Sequence, residues 1–263
     1  MRAAVRSHPL TSYVVLAYAL SWAWWIPMAL RGDVVRAGVG WPTHLPGLAG
    51  PALSAVIVTA LADGRRGLAD LGSRMTRWRV GWGWWGLVVG TAALALLGVV
   101  VPLVTGGRVP SADEFARYSG IGPLGLAGVV AVAFLVNGLG EETGWRGFAV
   151  ERLSVRFDLR TTALIVAPVW ALWHLPLFFI DDSFRAFGPI GIVGWLVGLT
   201  AGSLVLAWMY RGSGHSILIV AGWHTAFNLT SATAATGDVV APVTSTIVIV
   251  AAVWVFRRGA APT

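Results

Sequence analysis

Eight apolar runs, each near the roughly 20 residues that a helix needs to cross a bilayer, take up most of this chain. They cover about 10–30, 45–62, 81–106, 122–145, 161–180, 189–209, 216–236 and 239–256. With 12% charged residues and a mean hydropathy of +0.73, the chain cannot clothe a surface in water. The runs lack the apolar/polar alternation of a membrane barrel, so helices are the expected spanning elements. The sequence therefore predicts an all-α, polytopic membrane helical bundle of about eight transmembrane helices, with residues 1–263 forming one transmembrane domain. Leu10 to Leu30 is too long for a signal-peptide core and is expected to be retained. Only Gly237 and Asp238 separate the last two runs, which predicts a tight helical hairpin there.

The net charge of +7 is carried by arginine alone. The arginines cluster in short segments between apolar runs, which points to orientation in a membrane and away from nucleic acid. With the N-terminus in the cytoplasm and the spans alternating, Arg31, Arg36, Arg108, Arg117 and Arg185 fall outside. The other fourteen of the 19 fall inside, so both termini are expected in the cytoplasm. Tryptophans 22, 24, 25, 41, 78, 82, 84 and 85 sit near predicted helix ends, as an interfacial belt places them. There is no cysteine, which removes thiolate nucleophiles and cysteine-bound zinc.

Ionisable groups inside a bilayer are costly and mark function by default. Those left after the loop charges are Glu141, Glu142 and Arg146 at the end of the fourth run, His174 in the fifth and His224 in the seventh. Asn137 and Asn228 accompany them. Glu142 and Arg146 are four apart, so they share a helix face and form a structural clasp. Glu141 points about 100° away from Glu142 and serves another purpose. His224 and Asn228 are also four apart and present two polar groups on one face. His174 stands between Pro168 and Pro176, which free backbone carbonyls and bend the helix. A carboxylate, two histidines and an amide converging on water form a hydrolytic set: a general base, a partner for the water and donors to an oxyanion. Glu141, His174 and His224 are also a zinc-ligand set. A transporter or proton relay uses the same residue types, and a non-catalytic interaction protein is a third reading. Gly212-Ser213-Gly214-His215 resembles the glycine-framed serine of serine intramembrane proteases, but it falls in a short turn.

Three segments resemble one family. Glu141-Glu142-Thr143-Gly144-Trp145-Arg146 fits a Glu-Glu-x-x-x-Arg motif, Trp170 to His174 fits aromatic-x-x-x-His, and His224 to Asn228 fits His-x-x-x-Asn. In that order they resemble the CAAX-protease and bacteriocin-processing membrane proteases (CPBP, Abi), with residues 122–236 as the motif-bearing catalytic core. Trp170 stands where phenylalanine is usual. The resemblance implies an eight-helix bundle with a conical cavity open to the cytoplasm. It also implies Glu141 and His174 activating water, His224 with Asn228 stabilising the oxyanion, and Glu142 with Arg146 mainly structural. A glutamate-activated, metal-free water is preferred to zinc. The partners implied are membrane lipid and a peptide or protein near the membrane, with no nucleic acid, and in a prokaryote the location is the plasma membrane.

Overall fold

The computed structural model describes residues 2–236 and 239–258. Its long helices are α1 (Pro9–Arg31), α2 (Leu45–Ala62), α3 (Trp82–Thr105), α4 (Gly125–Leu153), α5 (Leu159–Ile180), α6 (Pro189–Gly212), α7 (Ile217–Ala232) and α8 (Val240–Arg258). All except α7 are long and apolar enough to cross a membrane. The chain is an integral, multi-pass membrane protein with an all-helical fold. The predicted hairpin at Gly237 and Asp238 lies outside the described residues.

The 16 residues of α7 rise about 24 Å, less than the roughly 30 Å of a hydrocarbon core. It is nonetheless the packed centre of the bundle. Its buried residues, Ile219, Val220, Ala221, Trp223, His224 and Thr225 among them, point in every direction. Surrounding helices cover most of its length. By contrast, α3 is exposed along nearly its whole length and presents valine and leucine outward, as a helix facing lipid does.

Helix ends follow local chemistry. Pro9 and Pro189 open α1 and α6, where a missing N–H costs nothing. The Asp158 carboxylate accepts from Thr161 N at 2.8 Å, and Ser216 Oγ accepts from Ile219 N at 3.2 Å. Pro176 stops the regular part of α5 after Trp173, so His174 becomes its cap residue and a turn follows. In α4 the backbone widens into π-helical turns at Phe134–Leu139 and Trp145–Val150, on either side of Gly140–Gly144. Such turns re-phase side chains and recur at functional sites.

The segments between the helices gather into two ends, as strict alternation requires. One end is arginine-rich. There the surface helix Gly64–Met75 lies across the bundle, and Arg74 donates to Gly147 O at 2.8 Å and to Tyr210 Oη at 2.5 Å. Arg77 binds Gly214 O, and Ser216 Oγ donates to Arg77 O at 2.6 Å. The other end is knitted by backbone: Val35 N to Ile180 O at 2.7 Å, Gly38 N to Tyr118 O at 3.0 Å and Gly120 N to Arg36 O at 3.2 Å. Gly120, at φ +68°, is required there, because a Cβ would lie 2.8 Å from Thr43 Oγ1 and 2.9 Å from His44 Nδ1. Gly144 has the same role inside the bundle: a Cβ would lie 2.4 Å from Tyr13 Oη, so only glycine lets α4 approach α1 and α2.

Candidate functional site

The re-phased stretch of α4 carries Glu141 and Glu142 into the bundle, where both are buried. Glu141 Oε2 accepts a hydrogen bond from Trp170 Nε1 at 2.8 Å. His174 Nε2 lies 4.0 Å from the same oxygen, a gap that one water can bridge. His174 Nδ1 pairs with Trp170 O at 2.7 Å, which fixes the ring and leaves Nε2 towards Glu141. Glu142 takes the other direction. Its Oε1 accepts from Arg146 Nη1 at 2.9 Å and pairs with His224 Nδ1 at 2.7 Å. The Arg146 guanidinium, fully buried, stacks 4.3 Å over the Trp170 ring. Trp170 therefore touches both halves of the site, and its ring also meets those of His174 and His224 edge-on or tilted.

The structure brings together Glu141, His174, Glu142, Arg146 and His224. Asn228, half-buried one turn beyond His224, lies beside the Tyr118 side chain. Asn137 is buried with its Oδ1 lacking a protein partner. The serine–histidine turn is not a catalytic pair: Ser213 Oγ donates to Tyr210 O at 3.2 Å, and His215 Nδ1 pairs with Glu151 Oε2 at 2.7 Å.

Three contacts had no signal in the sequence. Trp170, in the place of a phenylalanine, supplies an N–H that phenylalanine lacks. Glu142 has a second role, as the carboxylate that orients His224 through Nδ1. Tyr118 comes from the loop before α4, and burial pushes its phenol well above the ordinary range, so it stays protonated. Beside it, Asp181 binds Ser119 and accepts from Ser183 N at 3.0 Å, with His44 Nδ1 at 3.7 Å.

These residues do not fit a zinc ion as they stand. Zinc ligands lie about 2.0–2.2 Å from the metal and converge tetrahedrally. Among the described residues no three histidine, aspartate or glutamate side chains are grouped to hold a metal. One candidate ligand atom, Glu141 Oε2, is already engaged by the Trp170 indole.

Residues 123–230, which include every one of the motif residues, match the family of type II CAAX prenyl endopeptidases described as Rce1-like. A curated relative, CAAX prenyl protease 2 of Methanococcus maripaludis, is 32% identical over 94 residues. Over these residues the chain is similar to the CAAX-protease (CPBP, Abi) family. The aligned part covers 34% of this chain and about a third (34%) of the relative's length. In the matched segment, the aromatic position of the second motif is filled by the indole that binds Glu141.

Proposed function

We propose that this protein is an intramembrane endopeptidase that cleaves a membrane-associated peptide with a glutamate-activated water, residues 122–236 being the catalytic core of a single transmembrane domain. The observation that carries the reading is the 4.0 Å separation of Glu141 Oε2 and His174 Nε2, opposite the His224–Asn228 face. Water held between the two gives its proton to the Glu141 carboxylate as its oxygen attacks the scissile carbonyl. The C–N bond then breaks, and the proton passes from Glu141 to the leaving amine. The Trp170 N–H keeps the second lone pair of Oε2 aimed at the water. His224, with Nδ1 on Glu142, turns Nε2 to the cavity and donates to the oxyanion as an imidazolium beside the Asn228 amide. Glu142 stabilises that imidazolium, as a buried carboxylate does for a catalytic histidine.

The test is cleavage of a peptide panel by purified protein in proteoliposomes, with an ion-flux assay alongside. Cleavage is expected to survive chelation and to occur without stoichiometric metal. Flux without cleavage would replace the reading with transport, and zinc that tracks activity would replace the metal-free mechanism.

Asn228→Ala removes one oxyanion donor and is expected to lower kcat by about 10²–10³-fold with little change in KM. Tyr118→Phe is expected to lower kcat by a smaller factor, because it frees the Asn228 amide to rotate. In the Asn228→Ala background it should cost almost nothing more, since the group it positions is gone. Independent losses that multiply would show that Tyr118 does not act through Asn228.

A further inference from the structure

Three acidic side chains are buried among the described residues: Glu141, Glu142 and Asp181. The mechanism uses the first two. Asp181 lies just past α5, in the segment that follows His174, and is 2% exposed. A carboxylate so placed is costly unless hydrogen bonds replace its water. Asp181 meets that demand with neutral donors. Its Oδ1 accepts from Ser183 N at 3.0 Å, from the Ser183 hydroxyl and from Phe184 N at 3.4 Å. Its Oδ2 accepts from the Ser119 hydroxyl. His44 Nδ1, 3.7 Å from Oδ2, stands beyond hydrogen-bond reach.

The two oxygens lead to two different groups of the site. On the Oδ1 side, the bonds to Ser183 and Phe184 N fix the turn that carries the Phe184 ring. That ring stacks on His174, with centroids 6.1 Å apart and planes 18° from parallel, and both rings meet Trp195 edge-on. On the Oδ2 side, Ser119 is the chain neighbour of Tyr118, whose side chain lies beside Asn228. Backbone bonds hold the two branches in register: Val35 bonds Ile180 O and Asp182 N, and Gly38 N bonds Tyr118 O.

We propose that Asp181 is a positioning residue for peptide cleavage: its Oδ1 branch seats His174 and its Oδ2 branch seats Asn228, so one carboxylate sets the water site against the oxyanion site. The seating stands on these contacts; cleavage, as the step it serves, rests on the proposed function. Asp181 acts through its neighbours, and a shift of about 1 Å transmitted from such a distance costs about 10²-fold in rate.

Asp181→Ala is expected to lower kcat per folded molecule by about 10²-fold with KM little changed. Asp181→Asn, whose amide can still accept from Ser183 N and donate to Ser119 Oγ, is expected to recover most of that loss. Ser119→Ala and Phe184→Leu each cut one branch and should cost about tenfold apiece. In the Asn228→Ala background, Ser119→Ala should cost almost nothing more, while Phe184→Leu keeps its full effect. These two variants carry the test should Asp181→Ala fail to fold. A Ser119→Ala loss that is the same in both backgrounds, or turnover per folded molecule untouched by Asp181→Ala, overturns the proposal. A readout independent of cleavage is the NMR signal of the His174 ring in histidine-labelled protein, assigned by its disappearance in His174→Gln. Asp181→Ala and Phe184→Leu are expected to shift it, and Ser119→Ala to leave it in place. A signal unmoved by either of the first two overturns the seating of His174. The expected shifts, with no peptide cleaved by the unchanged protein, keep the seating and remove the peptidase reading.

Discussion

Glu141→Gln is expected to reduce turnover by about 10³–10⁴-fold, the upper part of what a general base contributes, while the protein stays folded. The side chain keeps its shape, and its remaining carbonyl oxygen can still accept from Trp170 Nε1. What is lost is the carboxylate placed to take the proton of a water shared with His174. Stability should not fall, because a neutral amide is less costly to bury than a carboxylate. Elution on size exclusion and the unfolding temperature in detergent check the fold, and cleavage of a defined peptide checks the chemistry. Retention of more than a tenth of the activity would remove Glu141 from the base position. If the protein binds its substrate normally, the same variant becomes a trap with which to identify it.

The second large effect is on stability. Glu142 and Arg146 are both wholly inaccessible to solvent and joined by one direct hydrogen bond. Arg146→Ala leaves a buried carboxylate facing only His224, at a cost of about 3–5 kcal/mol, and it removes the stack over Trp170. Glu142→Gln leaves the guanidinium unpaired, at a similar cost. Arg146 Nε and Nη2 already lack a protein partner, so Glu142 supplies its one direct side-chain hydrogen bond. The double variant Glu142→Gln/Arg146→Met is expected to be more stable than either single one, because it leaves no unpaired charge. It should remain inactive, since His224 has lost the carboxylate that holds Nδ1. Thermal unfolding of the four proteins in detergent gives the cycle, and additive losses would show that the clasp is not a unit.

Much of the bundle was legible in the sequence, because the bilayer imposes one dominant rule, that apolar runs become helices. The deviations have local causes. Hydropathy ends the fourth run near Glu141 and Arg146, yet α4 continues to Leu153, because the clasp neutralises its own charge and lets the helix proceed. The seventh apolar run reaches residue 236, yet α7 ends at Ala232, where Thr233 turns extended in a stretch of small residues that carries no strong stop signal. The motif residues stood out as ionisable groups in apolar runs. The pairing of Glu142 with His224 did not, because the π-helical turns of α4 change which side chain faces which neighbour. Tyr118 was invisible for another reason. A lone tyrosine in a loop has no period, and only the packing of that loop over Asn228 gives it a role.

The site also dictates an order of assembly. Arg146 meets Glu142 within a single helical turn, so that charge is neutralised as soon as α4 coils. Trp170, the hydrogen-bond partner of Glu141, lies 29 residues further on, and His224, the second partner of Glu142, lies 82 residues beyond it. During synthesis α4 therefore reaches the insertion machinery with one carboxyl group answered and the other not. Glu141 stays a liability to membrane integration until α5 arrives, and His224 cannot be seated until α7 threads into the centre of helices already in place. The clasp lets the most polar segment of the chain wait in the membrane for the rest of its site.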